Sequence, residues 1–178
     1  MDKYNKDKLL DLHFKGFTLI ELMIVMVIIT LMFSAGYANY RRSVQRQSVK
    51  IAAKQIEADI KYAQNQAFSG VKPEGCTLLY GYLFSVNQTN DNYTIKANCK
   101  NLDYDIGKTQ VEVGEGLDIR ISGTSAVVFK SAGHGLDFNN GNNDDLADSI
   151  VITIELGNTN VEAQVSLKGT GEVSTSIP

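Results

Sequence analysis

The chain has 178 residues, 43% of them apolar, and its 17 basic and 20 acidic side chains leave a formal net charge of −3. A balance this small and of this sign excludes a global positive field for recruiting nucleic acid. Two cysteines and two histidines also leave little for a zinc site, because neither His13 nor His134 has a matching Cys or His cluster.

Residues 1–16, MDKYNKDKLLDLHFKG, set Lys3, Lys6, Lys8 and Lys15 against Asp2, Asp7 and Asp11 and end in Lys15-Gly16, the make-up of a targeting n-region. An apolar run then extends from Phe17 to Ala38, broken by Thr18, Glu21, Thr30, Ser34 and Gly36. It reaches the ~20 residues that a membrane-crossing helix needs. A secretory signal would have an apolar core of about 7–15 residues followed by a small-residue cleavage site, and neither is present. Glu21 lies inside the span, where an ionisable group costs roughly 2.5–3.5 kcal/mol and usually serves a function.

The stretch Gly16-Phe17-Thr18-Leu19-Ile20-Glu21-Leu22 resembles the class III signal of type IV pilins and type II secretion pseudopilins. The resemblance implies that a prepilin peptidase cuts between Gly16 and Phe17 on the cytoplasmic side. The new Phe17 amine is then methylated, and the apolar run stays on the mature protein. It further implies that Glu21 neutralises the N-terminal amine of a neighbouring subunit, so that two charges each costly in lipid offset one another on assembly. A simple signal anchor with an incidental glutamate is the alternative. Arg41, Arg42, Arg46 and Lys50 follow the span as densely as lysines precede it, so charge alone does not orient it. The resemblance puts residues 1–16 in the cytoplasm.

Beyond the span, Val49, Ala52, Ala53, Ile56, Ile60, Ala63 and Ala67 recur at helical spacing, with Lys, Gln, Glu and Asp between them. The helix is expected to continue to a stop at Ser69-Gly70, ahead of Pro73, giving a rod of roughly 80 Å. Many pilins have a proline near the middle of this membrane segment; Ser34 to Tyr40 offers only Gly36, which leaves open whether the helix bends there. The pattern Asp59-Ile60-Lys61-Tyr62-Ala63-Gln64, with Ala67, resembles the GspH/FimT family of minor pseudopilins and minor pilins. An amphipathic helix with alternating charge is the plainer reading.

After Gly70 the period becomes alternating, and seven segments read as strands: Thr77–Val86, Tyr93–Ala97, Thr109–Val113, Leu117–Ser122, Ala126–Lys130, Ser149–Leu156 and Val161–Leu167. VEVGEGLDIRI and IELGNTNVEAQV are expected to be hairpins, and LKGTGEVS a tight turn with a short terminal strand. The closing Gly171 matches the "SPTGRV"-like ending of the GspH/FimT head. The expected fold is α+β: a long N-terminal helix, its first half transmembrane, packed on an antiparallel sheet or sandwich head, the pilin fold. The expected division is 1–16 as a cleaved leader, 17–38 as the membrane helix, 39–70 as its continuation and 71–178 as the β head.

Cys76 and Cys99 flank the first strand pair, and an even count outside the cytoplasm suggests a disulfide, with two free buried thiols as the alternative. Asp137, Asn139, Asn143, Asp145 and Asp148 could surround a hard cation such as calcium. Yet Gly141 does not sit where an EF-hand needs glycine, and no glutamate closes the loop, so a solvated turn is the alternative. No other cofactor is indicated. A metal-ligand cluster, nucleophile elbow and phosphate loop are all missing, and GEG, GHG and GTG are short turn elements, so no enzyme is expected.

The sequence therefore reads as a minor pilin or pseudopilin, a structural filament subunit of a type II secretion system or a type IV pilus. Its expected partners are other pilins, the prepilin peptidase, the inner-membrane assembly platform and membrane lipid. Its expected place is the inner membrane as a single-pass protein with its head outside the cytoplasm, then a periplasmic or surface filament. A tip module for adhesion or DNA uptake is the second reading. DNA is not an expected partner, since beyond Gly70 the basic residues Lys72, Lys96, Lys100, Lys108, Arg120, Lys130 and Lys168 are outnumbered by acids.

Overall fold

The computed structural model describes residues 16–100, 102–133, 135–138, 149–157 and 159–177. Among them, the helix α1 (Leu19–Ser69) precedes nine strands: β1 (Leu79–Asn87), β2 (Asn92–Cys99), β3 (Asp103–Glu112), β4 (Leu117–Ser122), β5 (Ala126–Lys130), β6 (Leu136–Asp137), β7 (Ser149–Leu156), β8 (Glu162–Lys168) and β9 (Val173–Ser176). The chain divides into two compact units between Arg41 and Arg42.

In the first unit, α1 runs through Gly36 without interruption, and the apolar side chains from Phe17 to Phe33 are exposed. Its length and composition suffice to cross a membrane.

The second unit contains the rest of α1 and the strands, which form a five-stranded sheet in the order β3-β2-β1-β5-β6 and a four-stranded sheet in the order β4-β7-β8-β9. The pairings are antiparallel in both. The helical stripe Val49, Ala52, Ala53, Ile56, Ile60, Ala63 and Ala67 is buried throughout and joins one core with Tyr82, Phe84, Ile95 and Val127 of the first sheet and Ile119, Ile152, Ile154 and Val165 of the second. Four of the seven helical positions are alanine, and all seven are buried, with Ile56 and Ile60 the largest side chains that the helix gives to the core. The helix stops where expected: Gly70 takes φ +62°, a conformation that ends helices and favours glycine.

The expected hairpin at VEVGEGLDIRI is corrected by the structure, because β3 pairs with β2 and β4 pairs with β7, in different sheets. Val113 and Leu117 are both buried, and a turn between them at Gly114 and Gly116 carries the chain from one sheet to the other. Apolar residues on either side of a glycine turn can mark a crossover as well as a hairpin. The hairpins β7–β8 and β8–β9 form as expected.

β3 begins six residues before its expected start at Thr109. Its first part, DYDIGK, is an edge segment that half-buries Tyr104 and Ile106 and turns acids outward, the kind of strand that charged side chains keep from pairing with foreign chains. A second link between the sheets comes from Asp91, in the β1–β2 turn at φ +48°. Its side chain accepts the Ile119 amide of β4 at 3.0 Å, and its carbonyl accepts the Val113 amide at 3.3 Å.

Candidate functional site: the N-terminal segment and the face of the helix

Gly16, Phe17 and Thr18 precede α1, and Glu21 lies in its first turn. The Thr18 hydroxyl accepts a hydrogen bond from the Glu21 amide at 3.3 Å, and the Thr18 carbonyl accepts one from the Leu22 amide at 3.2 Å. Thr18 is therefore the N-cap. The sequence Thr-x-x-Glu is a helix-start signature in its own right, and attention to the processing signal alone passes over it. Glu21 thus has a local reason to be where it is, since a carboxylate near the positive end of a helix stabilises it by roughly 0.3–1 kcal/mol. That gain is several-fold smaller than the cost of a carboxylate in lipid, so helix capping does not account for Glu21 within an apolar run. The carboxylate makes no ion pair among the described residues, and Phe17, Leu19, Ile20 and Leu22 around it are exposed. The segment thus presents a carboxylate from the first turn of an exposed apolar helix.

Cys76 and Cys99 form a disulfide with Cα atoms 5.8 Å apart. It closes the loop containing β1 and most of β2, which contributes roughly 3 kcal/mol in the chain-entropy model. Of the calcium candidates, Asp137 lies in β6 with its carboxylate 3.6 Å from Lys130. Asn139, Asn143, Asp145 and Asp148 lie outside the described residues, as do His13 and His134. Among the described residues no group of three or more His, Cys, Asp or Glu side chains could hold a metal.

Asp59 is the buried polar residue that sequence reasoning takes for a solvated one, because it stands among the polar residues between the apolar positions. In the structure it is 3% exposed. Its carboxylate accepts bonds from the Tyr93 hydroxyl at 2.6 Å, the Lys108 ammonium at 2.5 Å and the Gln55 amide at 3.2 Å. Burial, together with this anionic neighbour, raises the Tyr93 phenol. Spacing carries a signal for the site: Asp59 stands three residues after Ile56 and four before Ala63, on the buried face. The network joins α1 to β2 and β3. Toward the other sheet, Glu57 accepts from Thr175 of β9 at 2.6 Å, and the Gln64 amide donates to the Gly171 carbonyl at 2.9 Å. Gly171, which the sequence places in the closing turn, has φ +86° there and touches the helix through that bond.

These elements define a class: an apolar helix with a capped, acid-bearing start, continued into a head of antiparallel sheets. The family model for the prokaryotic N-terminal methylation motif matches residues 12–37. The minor pseudopilin EpsH from the type 2 secretion system of Vibrio cholerae has a similar structure, with a TM-score of 0.53 and 14% sequence identity over 74% of this chain and 98% of that one. The start of the chain therefore carries the prokaryotic methylation motif, and the chain shares its fold with that pseudopilin. No curated protein matches the sequence.

Proposed function

We propose that this chain is a minor pilin or pseudopilin, made as a membrane precursor, cut between Gly16 and Phe17 by a prepilin peptidase, methylated on Phe17 and assembled into a filament through α1. The observation that carries the reading is the methylation motif, at the start of a helix whose first part has, among the described residues, no covering surface within its own unit. Lipid supplies that surface before assembly, and the helices of other subunits supply it afterwards. Glu21 then receives the cationic amine of an adjoining subunit, a pairing strengthened where water is scarce. Residues 1–16 are the cytoplasmic leader, 17–38 the membrane helix, 39–70 its extension and 71–178 the head outside the cytoplasm. The machine is a secretion pseudopilus or a type IV pilus. The role is structural, with no catalytic step.

Glu21→Val tests the pairing. The variant is expected to insert and be cleaved normally but to enter filaments roughly a hundredfold less, as expected from leaving a partner's amine uncompensated in an apolar medium. Immunoblotting of sheared or overproduced filaments reads the effect. Normal incorporation would contradict the pairing, and uncut precursor would show that Glu21 serves processing instead.

A further inference from the structure

Between Glu21 and Glu57 the sequence holds no acid, yet it holds Arg41, Arg42, Arg46, Lys50 and Lys54. Four of these, Arg42, Arg46, Lys50 and Lys54, are spaced by four residues and exposed on the part of α1 that belongs to the folded head unit. On a helix such spacing stacks like charges on neighbouring turns, which costs a few tenths of a kcal/mol per pair. The ridge is about 18 Å long. Alongside it lies an open groove of about 720 Å³ lined by Ser43, Gln47, Ile51, Gln55 and Ile177 together with Arg46, Lys50 and Lys54. Ile51 is 60% exposed there. Lys54 is paired with Glu57 at 2.6 Å, whereas Arg42, Arg46 and Lys50 have no ion-pair partner among the described residues. The sequence thus maintains a locally unfavourable line of charge beside an exposed apolar strip.

We propose that this ridge and groove form a docking strip for an acidic face on the head of the adjoining filament subunit, an inference that rests on the filament reading above. Two observations favour a protein over lipid. A single headgroup layer is only about 5–8 Å thick, less than half the length of the ridge. The groove is also walled by Ile177, from the C-terminal end of the head. The matching charge is of the kind this chain carries itself: beyond Gly70 it has 7 basic against 14 acidic residues. The strip would steer and register an incoming head, and the apolar strip of Ile51 and Ile177 would be covered on contact.

Zero-length carbodiimide coupling tests the strip, because it joins an ammonium to a carboxylate only where the two already touch. The full chain is treated in assembled filaments and its cross-linked peptides are sequenced. Lys54 linked to Glu57 within the chain is the internal control. The expected result is Lys50 joined to an Asp or Glu of another subunit of the same filament, with the yield falling about tenfold in Arg46→Gln while the control link stays. A control link without any Lys50 link overturns the strip, as does a Lys50 link unaffected by Arg46→Gln. If Lys50 is shielded from acylation as fully in phosphatidylglycerol vesicles holding this chain alone, lipid is the occupant and the strip is overturned. N-terminal sequencing of the same sample separates the two levels. Assembly from Phe17 with no Lys50 link overturns the strip alone, whereas a chain that never assembles overturns both readings.

Discussion

The two parts of α1 are built from the same backbone and differ in where their apolar surface goes. From Leu19 to Phe33 the helix is apolar on every side and exposed on every side, whereas from Val49 to Ala67 it is apolar along one stripe and that stripe is covered. A helix apolar all round has lipid or other helices as its solvent, while a striped one finds its cover in its own chain. One element therefore carries two kinds of apolar face, one covered within its own unit and one left uncovered among the described residues.

Isoleucine truncation breaks the comparison most strongly. Ile60→Ala, at a fully buried position, is expected to destabilise the head by about 3 kcal/mol, whereas Ile28→Ala, at an exposed one, leaves head stability unchanged. Thermal unfolding of the detergent-solubilised full chain reads both. Equal effects would mean that the two parts share one core.

The Asp59 network gives a smaller effect. Asp59→Ala leaves the buried Tyr93 hydroxyl without its acceptor, while Lys108, with a side chain 31% exposed, can turn to water. A loss of about 2 kcal/mol is expected. Adding Tyr93→Phe to Asp59→Ala is expected to cost little more, and a double-mutant cycle shows whether the two act as one unit.

Glu57 gives the smallest. Hydrogen bonds from Lys54 and Lys61, then from Thr175, lower its carboxyl to about 2. A folded-state value below the unfolded one means that its contribution is complete above about pH 4.3 and lost as the pH falls toward 2. Both lysine side chains are about half exposed, so screening keeps the contribution near ~1 kcal/mol. Glu57→Gln is expected to lower the neutral plateau of the stability profile by that amount and to flatten its acid limb, so that variant and parent converge near pH 2. Urea unfolding at a series of pH values measures both, and a constant gap down to pH 2 would contradict the charge-based account.

Periodicity makes most of the fold legible in the sequence itself. The stripe from Val49 to Ala67, the stop at Gly70 and the β7–β8 hairpin all follow from the local spacing of apolar residues and glycines. What stays hidden is what local spacing does not encode. GEG reads the same whether its flanking strands join one sheet or two, and only the burial of both Val113 and Leu117 decides. Asp59 reads as solvated because its partners Tyr93 and Lys108 lie 34 and 49 residues away. The methylation motif is legible because its signal is local: Gly16, Phe17 and Glu21, the residues proposed for processing and assembly, fall within six residues. The calcium candidates depend on Asn139, Asn143, Asp145 and Asp148, outside the described residues.

The central claim is that the exposed apolar helix begins, in the working protein, at a methylated Phe17 whose amine is met by Glu21 of an adjoining subunit. Mass spectrometry of the N-terminal peptide from membrane-extracted chain tests it most directly. The account predicts a peptide that starts at Phe17 and carries one added methyl group on its amine; a peptide starting at Met1, or at any residue other than Phe17, would contradict it.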